Sequence, residues 1–145
     1  MKIQCRIHAL PAAGSPYQPG ESASLYAAQL GSAQARETAD QANRLLTEIR
    51  QEPVQLCLCH NDPLAANLID TGKQLVPIDW EYAAAGDPLF DLAVLIQHHE
   101  LQPELSGRLL QTYFGRAIRP AEALRLESWC GFYELLLELW NQRVH

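Results

Sequence analysis

Val54-Gln-Leu-Cys57-Leu-Cys59-His60-Asn61-Asp62-Pro63-Leu-Ala-Ala-Asn67-Leu-Ile-Asp70-Thr71-Gly72-Lys73-Gln-Leu75-Val-Pro-Ile78-Asp79-Trp80-Glu81-Tyr82 is the stretch that the rest of the chain supports. It continues into Ala83-Ala-Ala-Gly86-Asp87-Pro88-Leu-Phe-Asp91-Leu92-Ala93. The apolar run from Val54 to Cys59 ends on His60 and Asp62, and a second run from Leu75 to Ile78 ends on Asp79. Asp70-Thr71-Gly72 between them carries hairpin chemistry. Two strands arranged this way bring Asp62, Asn67 and Asp79 into one cleft.

Two carboxylates and an amide suit the movement of a phosphoryl group from a nucleotide to a hydroxyl. One carboxylate positions the hydroxyl and accepts its proton, while the amide oxygen and the second carboxylate hold Mg²⁺ against the phosphate charge. His60-x-Asp62, four more residues and then Asn67 has the form of a kinase catalytic loop, and Ile78-Asp79-Trp80 stands where kinases keep a metal-binding Asp. A lone His-x-Asp is weak evidence; the combined string is specific.

The segment His60 to Ala93 resembles the C-terminal half of the small-molecule kinases that include aminoglycoside phosphotransferases, choline and ethanolamine kinases and thiamine kinase. Its wording, Cys59-His60-Asn61-Asp62, Ile78-Asp79-Trp80-Glu81-Tyr82-Ala83 and Gly86-Asp87-Pro88-x-x-Asp91-Leu92-Ala93, is similar to the choline and thiamine kinase branch in particular. The resemblance implies Asp62 as catalytic base, Asn67 and Asp79 as Mg²⁺ ligands, and ATP as co-substrate. It implies scaffold roles for His60, Asp87 and Asp91, and offers Trp80 and Glu81 as substrate-side residues.

At 145 residues the chain is read as one domain, 1–145, able to bury roughly two-thirds of its unfolded surface. It has no run of about 18 apolar residues to span a bilayer and no leading signal segment, so the cytoplasm is the expected compartment. The net charge of −6 and the lack of a Lys/Arg cluster exclude a nucleic-acid partner. Between His60 and Gly107 the only base, Lys73, faces eight acids, a balance that attracts Mg²⁺ and a cationic substrate. For Asp70, Glu100 and Glu104 an ordinary acidic surface is the preferred reading.

The four cysteines show no disulfide framework. Cys57 and Cys59 lie on one face of an expected strand and read as small buried hydrophobes. A zinc site is the lesser reading, because Cys57-x-Cys59-His60 lacks a second ligand pair at zinc spacing.

In chain order, Lys2 to Leu10 is helix-compatible, and Pro11 to Gly20 reads as a loop. Helical patterns follow over 21–30 and 32–51, stopped by Pro53. Asp87-Pro88 opens a helix to about Leu101, with Asp87 as its cap. Further helices open at Pro103 and Pro120, the last running to about Arg143 with the stripe Leu126, Trp129, Cys130, Tyr133, Leu136, Leu137 and Trp140. Core packing explains that stripe, and a cation–π wall from Trp129, Tyr133 or Trp140 is the alternative. His98 and His99 point in different directions on a helix, which disfavours a shared metal site.

The expected fold is α+β, mostly α: the C-terminal lobe of a protein-kinase-like fold, with about five helices around a β-hairpin that carries the catalytic loop. No glycine-rich phosphate loop and no strand Lys of a nucleotide-binding N-terminal lobe occur in the sequence. The expectation is therefore a truncated chain, inactive or weakly active alone, of an enzyme that phosphorylates a small, cationic alcohol. Choline or thiamine is favoured, and an aminoglycoside comes next. The alternatives are a noncatalytic lobe remnant or interaction module, and a metal-dependent phosphohydrolase, which leaves Asn67 and Gly86 to Ala93 unexplained.

Overall fold

Proline opens four of the six helices in the computed structural model, which describes residues 2–145. At the first helical position its missing N–H removes no helical hydrogen bond, and its fixed φ suits the helix. α1 (Lys2–His8) is followed by α2 (Pro19–Leu30) and α3 (Ala33–Ile49). Four short strands come next: β1 (Cys57–Cys59), β2 (Leu68–Asp70), β3 (Leu75–Pro77) and β4 (Ala84–Gly86). The chain ends in α4 (Pro88–His98), α5 (Pro103–Phe114) and α6 (Pro120–Val144). It is mostly helical with small antiparallel β elements, the lobe architecture that the resemblance implies. Among the described residues no helix is long and apolar enough to cross a membrane.

The core lies where α2, α3, α4 and α6 meet, with Ala23, Ala42, Leu46, Leu92, Phe132 and Leu139 buried in it. Small side chains let α2 and α3 approach closely. At Gly20, a Cβ would stand 2.6 Å from Asn43 Oδ1 and 2.9 Å from Leu46 Cδ2, closer than packed atoms come. Trp129 belongs to this core, at 5% exposure, and its ring packs against Phe90 at 5.0 Å between centroids.

The strand pairing differs from the expectation. The 54–59 run does not pair with the 75–78 run: β2 pairs with β3 in the register Leu68↔Pro77, Ile69↔Val76, Asp70↔Leu75. That hairpin closes across the Asp70-Thr71-Gly72 turn, and the short closure fixes fewer residues than one spanning the whole catalytic loop. β1 pairs instead with β4, through Cys57↔Gly86, Leu58↔Ala85 and Cys59↔Ala84. The Ala-Ala-Gly sequence of β4 has low strand propensity, and its pairing is set by context. The loop from His60 to Asn67 thus bridges two ribbons rather than sitting in one hairpin.

The segment from Pro11 forms a loop that ends at Gln18 rather than Gly20, because Pro19 opens α2, and it is laid against the first ribbon through the bridges Pro11↔Cys57 and Pro16↔Ala85. Tyr17 N–H donates to Ala85 O at 2.9 Å, which fixes the position of its ring.

Candidate functional site

The loop from His60 to Asn67 is held from below by one buried carboxylate. Asp91, fully buried in the first turn of α4, accepts from the backbone N–H of Asn61 at 2.7 Å through Oδ1 and of His60 at 2.9 Å through Oδ2. The same Oδ2 accepts from His8 Nε2 at 2.9 Å, and His8 Nδ1 meets the Tyr113 hydroxyl at 2.8 Å. The loop is therefore tied to α1, α4 and α5 together. Asp87 caps α4, accepting from Leu89 N–H at 2.9 Å, while its other oxygen accepts from Trp129 Nε1 at 2.8 Å and from Arg125 Nε.

His60 joins the loop to the end of β3. Its Nε2 donates to Ile78 O at 2.8 Å and its Nδ1 accepts from Asp62 N–H at 3.3 Å, an arrangement that requires the neutral ring. Trp80 covers that ring at 4.8 Å between centroids and donates from Nε1 to Pro77 O at 3.1 Å. Asn67 O accepts from Ile78 N–H at 2.9 Å. Both ends of the loop thus fix Ile78, the residue that precedes Asp79. Asn61 and Asp79 adopt left-handed φ values of 65° and 59°, a conformation that short polar side chains tolerate better than most.

Asn67 Nδ2 donates to Asp62 Oδ2 at 2.8 Å and to Asp62 O at 2.9 Å. With the amide nitrogen turned to Asp62, the oxygen Oδ1 is left as the acceptor facing outward from that pair. Burial raises the Asp62 carboxyl above the ordinary value of 3.8; the Asn67 bond works against the rise, and the Asp79 charge adds to it. Asp79 is therefore near enough to act electrostatically on Asp62. Carboxylate and amide oxygens are hard donors, of the kind that suits Mg²⁺.

A cavity of about 180 Å³ opens beside Asp62. Tyr17, Tyr26, Tyr82, Phe90, Tyr133 and Trp140 line it, with Asn61, Asp62 and His98. His98 Nδ1 lies 3.2 Å from the Tyr133 hydroxyl. Asn61 Nδ2 donates to Tyr82 O at 2.8 Å, and its buried Oδ1 has no partner among the described residues. Arg143 stacks on Trp140 at 4.8 Å and on Tyr26 at 5.1 Å.

The structure brings together Asp62, Asn67, Asp79 and His60, and places Asp87 and Asp91 beneath them. Of the aromatic stripe on α6, Tyr133 and Trp140 line the cavity, whereas Trp129 is turned into the core toward Asp87. Trp80 lies on His60, outside the residues lining that cavity, and Glu81 lines a neighbouring opening with Tyr17 and Tyr82. Sequence reasoning missed Tyr17, Tyr26, Asn61, His8 and Arg125. Tyr17 sits in a proline-rich loop with no periodicity, and only a strand at Ala84–Gly86 would have placed it.

Comparison with known proteins gives the same picture. Protein LicA of Haemophilus influenzae is 42% identical over 66 residues, 46% of this chain and 24% of that protein. Thiamine kinase of Shigella boydii is 32% identical over 103 residues, 67% of this chain and 36% of that enzyme. A crystal structure of a choline/ethanolamine kinase family protein from Mesorhizobium loti superposes with a TM-score of 0.82 at 26% identity, covering 97% of this chain and 50% of the other. The chain thus spans about half or less of the length of the relatives it matches. The phosphotransferase enzyme family is matched over residues 2–124, which takes in the tethered loop, both ribbons and α4. The string His60-x-Asp62-x4-Asn67, held by a buried Asp in a kinase-like lobe, together with that match, makes this chain a member of the phosphotransferase enzyme family.

Proposed function

We propose that the chain carries the acceptor half of an ATP-dependent phosphotransferase acting on the hydroxyl of a small cationic alcohol. Choline or thiamine is favoured, and an aminoglycoside comes next. The observation that carries this reading is the cavity beside Asp62, where aromatic rings surround one carboxylate. An aromatic wall attracts a quaternary ammonium by about 0.5–2 kcal/mol per face, and the carboxylate adds charge complementarity.

In this reading Asp62 accepts the proton of the substrate hydroxyl as the oxygen attacks phosphorus, and Asn67 holds Asp62 in place. The raised carboxyl pKa makes Asp62 a better proton acceptor than an ordinary Asp. Asn67 Oδ1 and the Asp79 carboxylate would hold Mg²⁺, which supplies charge neutralisation at the phosphates. His60 and Asp91 keep the loop rigid, and Asn61 Oδ1 offers an acceptor to a polar hydrogen of the substrate. The binding surface for adenine and the phosphates is proposed to lie in the half of the relatives that these 145 residues do not match. The compartment proposed is the cytoplasm, which supplies ATP and suits four free cysteines.

Calorimetry with choline and with its neutral isostere 3,3-dimethylbutanol tests the reading. Choline is expected to bind more tightly, and Tyr133→Ala to remove the difference. Equal affinity for the two ligands overturns the cationic-substrate reading.

A further inference from the structure

β1 carries two thiols that the proposed reaction does not use. Residues two apart on a strand project to the same side, and the Sγ atoms of Cys57 and Cys59 are 3.8 Å apart. The end of α1 brings His8 to them: a ring nitrogen and both sulfurs lie within 4.8 Å of one another. A tetrahedral ion with metal–sulfur bonds of about 2.3 Å holds two sulfurs about 3.8 Å apart, so the thiols already stand at the required spacing.

The third ligand is prepared from behind. The Asp91 carboxylate only accepts, so His8 Nε2 carries the proton and Nδ1 carries the lone pair, which accepts from the Tyr113 hydroxyl. A carboxylate behind a ligating imidazole is how metal sites fix the tautomer and strengthen the ligand. An open cavity of about 580 Å³, lined by His8, Leu10, Cys57, Pro88 and Tyr113 among others, gives access from the His8 and Cys57 side and room for a water, with Cys59 buried behind them.

We propose that His8 Nδ1, Cys57 Sγ and Cys59 Sγ form a site for a thiophilic cation of the Zn²⁺ class, with water as fourth ligand. The cation takes the place of the Tyr113 hydroxyl proton on Nδ1. Each thiol releases its proton to solvent, so two protons leave per divalent ion and the net charge is unchanged. Oxygen donors suit Mg²⁺ and thiolates do not, which makes this site chemically distinct from the one at Asn67 and Asp79. It also shares Asp91 with the catalytic loop, so an ion here acts on the carboxylate that holds the His60 and Asn61 amides.

The test uses the whole 145-residue chain, reduced, stripped of metal and titrated with Co²⁺ as a spectroscopic probe. One Co²⁺ per chain is expected, with the intense visible bands of tetrahedral thiolate coordination, bleached by Zn²⁺. Cys57→Ala and Cys59→Ala should lose the bands, Cys130→Ala on α6 should keep them, and His8→Gln should weaken binding by at least about tenfold. Circular dichroism confirms that each variant is folded. No bands from the reduced wild-type chain, or bands that survive in folded Cys57→Ala, overturn the site.

Discussion

At the scale of the residue, Asp62, the proposed base, is half-buried. In a complete version of the enzyme, Asp62→Asn is expected to lower kcat by about 10²-fold to 10⁴-fold, the range for removing a general base. Steady-state kinetics with a parallel measurement of nucleotide affinity checks this, and undiminished turnover removes Asp62 from the role. The pH dependence follows from the direction of its shift. A base works as the carboxylate, the form present above its pKa and lost as pH falls through it. Burial raises that pKa, so the acid limb of kcat/KM should lie above the ordinary 3.8. A limb at or below that value would mean that a different group is titrating. The contact between Asp62 and Asn67 was legible in the sequence because their spacing is local. Asn61 was not, since its role rests on a left-handed φ and a bond to Tyr82 O that only the folded loop supplies.

At the scale of the element, two glycines in helices predict opposite outcomes for one substitution. Gly20→Ala drives a methyl group into Asn43 and Leu46 of α3, and a loss of about 1–3 kcal/mol is expected from overpacking. Gly107 in the middle of α5 has nothing within 4 Å of where a Cβ would stand, so Gly107→Ala should gain about 0.5–1 kcal/mol through helix propensity. Denaturant melts of both variants check the signs; stabilisation by Gly20→Ala would show that the α2–α3 contact is loose. The helices were readable because Pro88, Pro103 and Pro120 mark their starts and apolar periodicity marks their faces. The strand pairing was not. Three-residue strands carry too little pattern to choose a partner, and Ala84-Ala85-Gly86 is a strand only because Cys57 to Cys59 lies beside it. The aromatic cavity was hidden for the same reason, as it draws Tyr17, Tyr82 and Tyr133 from three separate segments.

At the scale of the whole molecule, half of the Mesorhizobium loti chain has no counterpart in these residues. Ile69, Leu75, Ile78 and Trp80 are exposed around the site. If the phosphates and adenine are bound by the other half, the 145-residue chain should bind MgATP weakly and associate through this apolar surface. Calorimetry and sedimentation check this, and robust turnover by a monodisperse monomer would refute it. Arg125 sets a different property. From α6 its guanidinium reaches Asp87 at the start of α4, Ile49 O at 2.8 Å and Glu52 O at 2.9 Å, just past α3. One side chain therefore clasps three segments far apart in sequence, and none of them can open without releasing the others. In native-state amide exchange, the last turn of α3, the first turn of α4 and the adjoining part of α6 should share one opening free energy and one denaturant slope. Arg125→Lys, which cannot span the three acceptors at once, should split that cooperative unit into segments that exchange at separate rates.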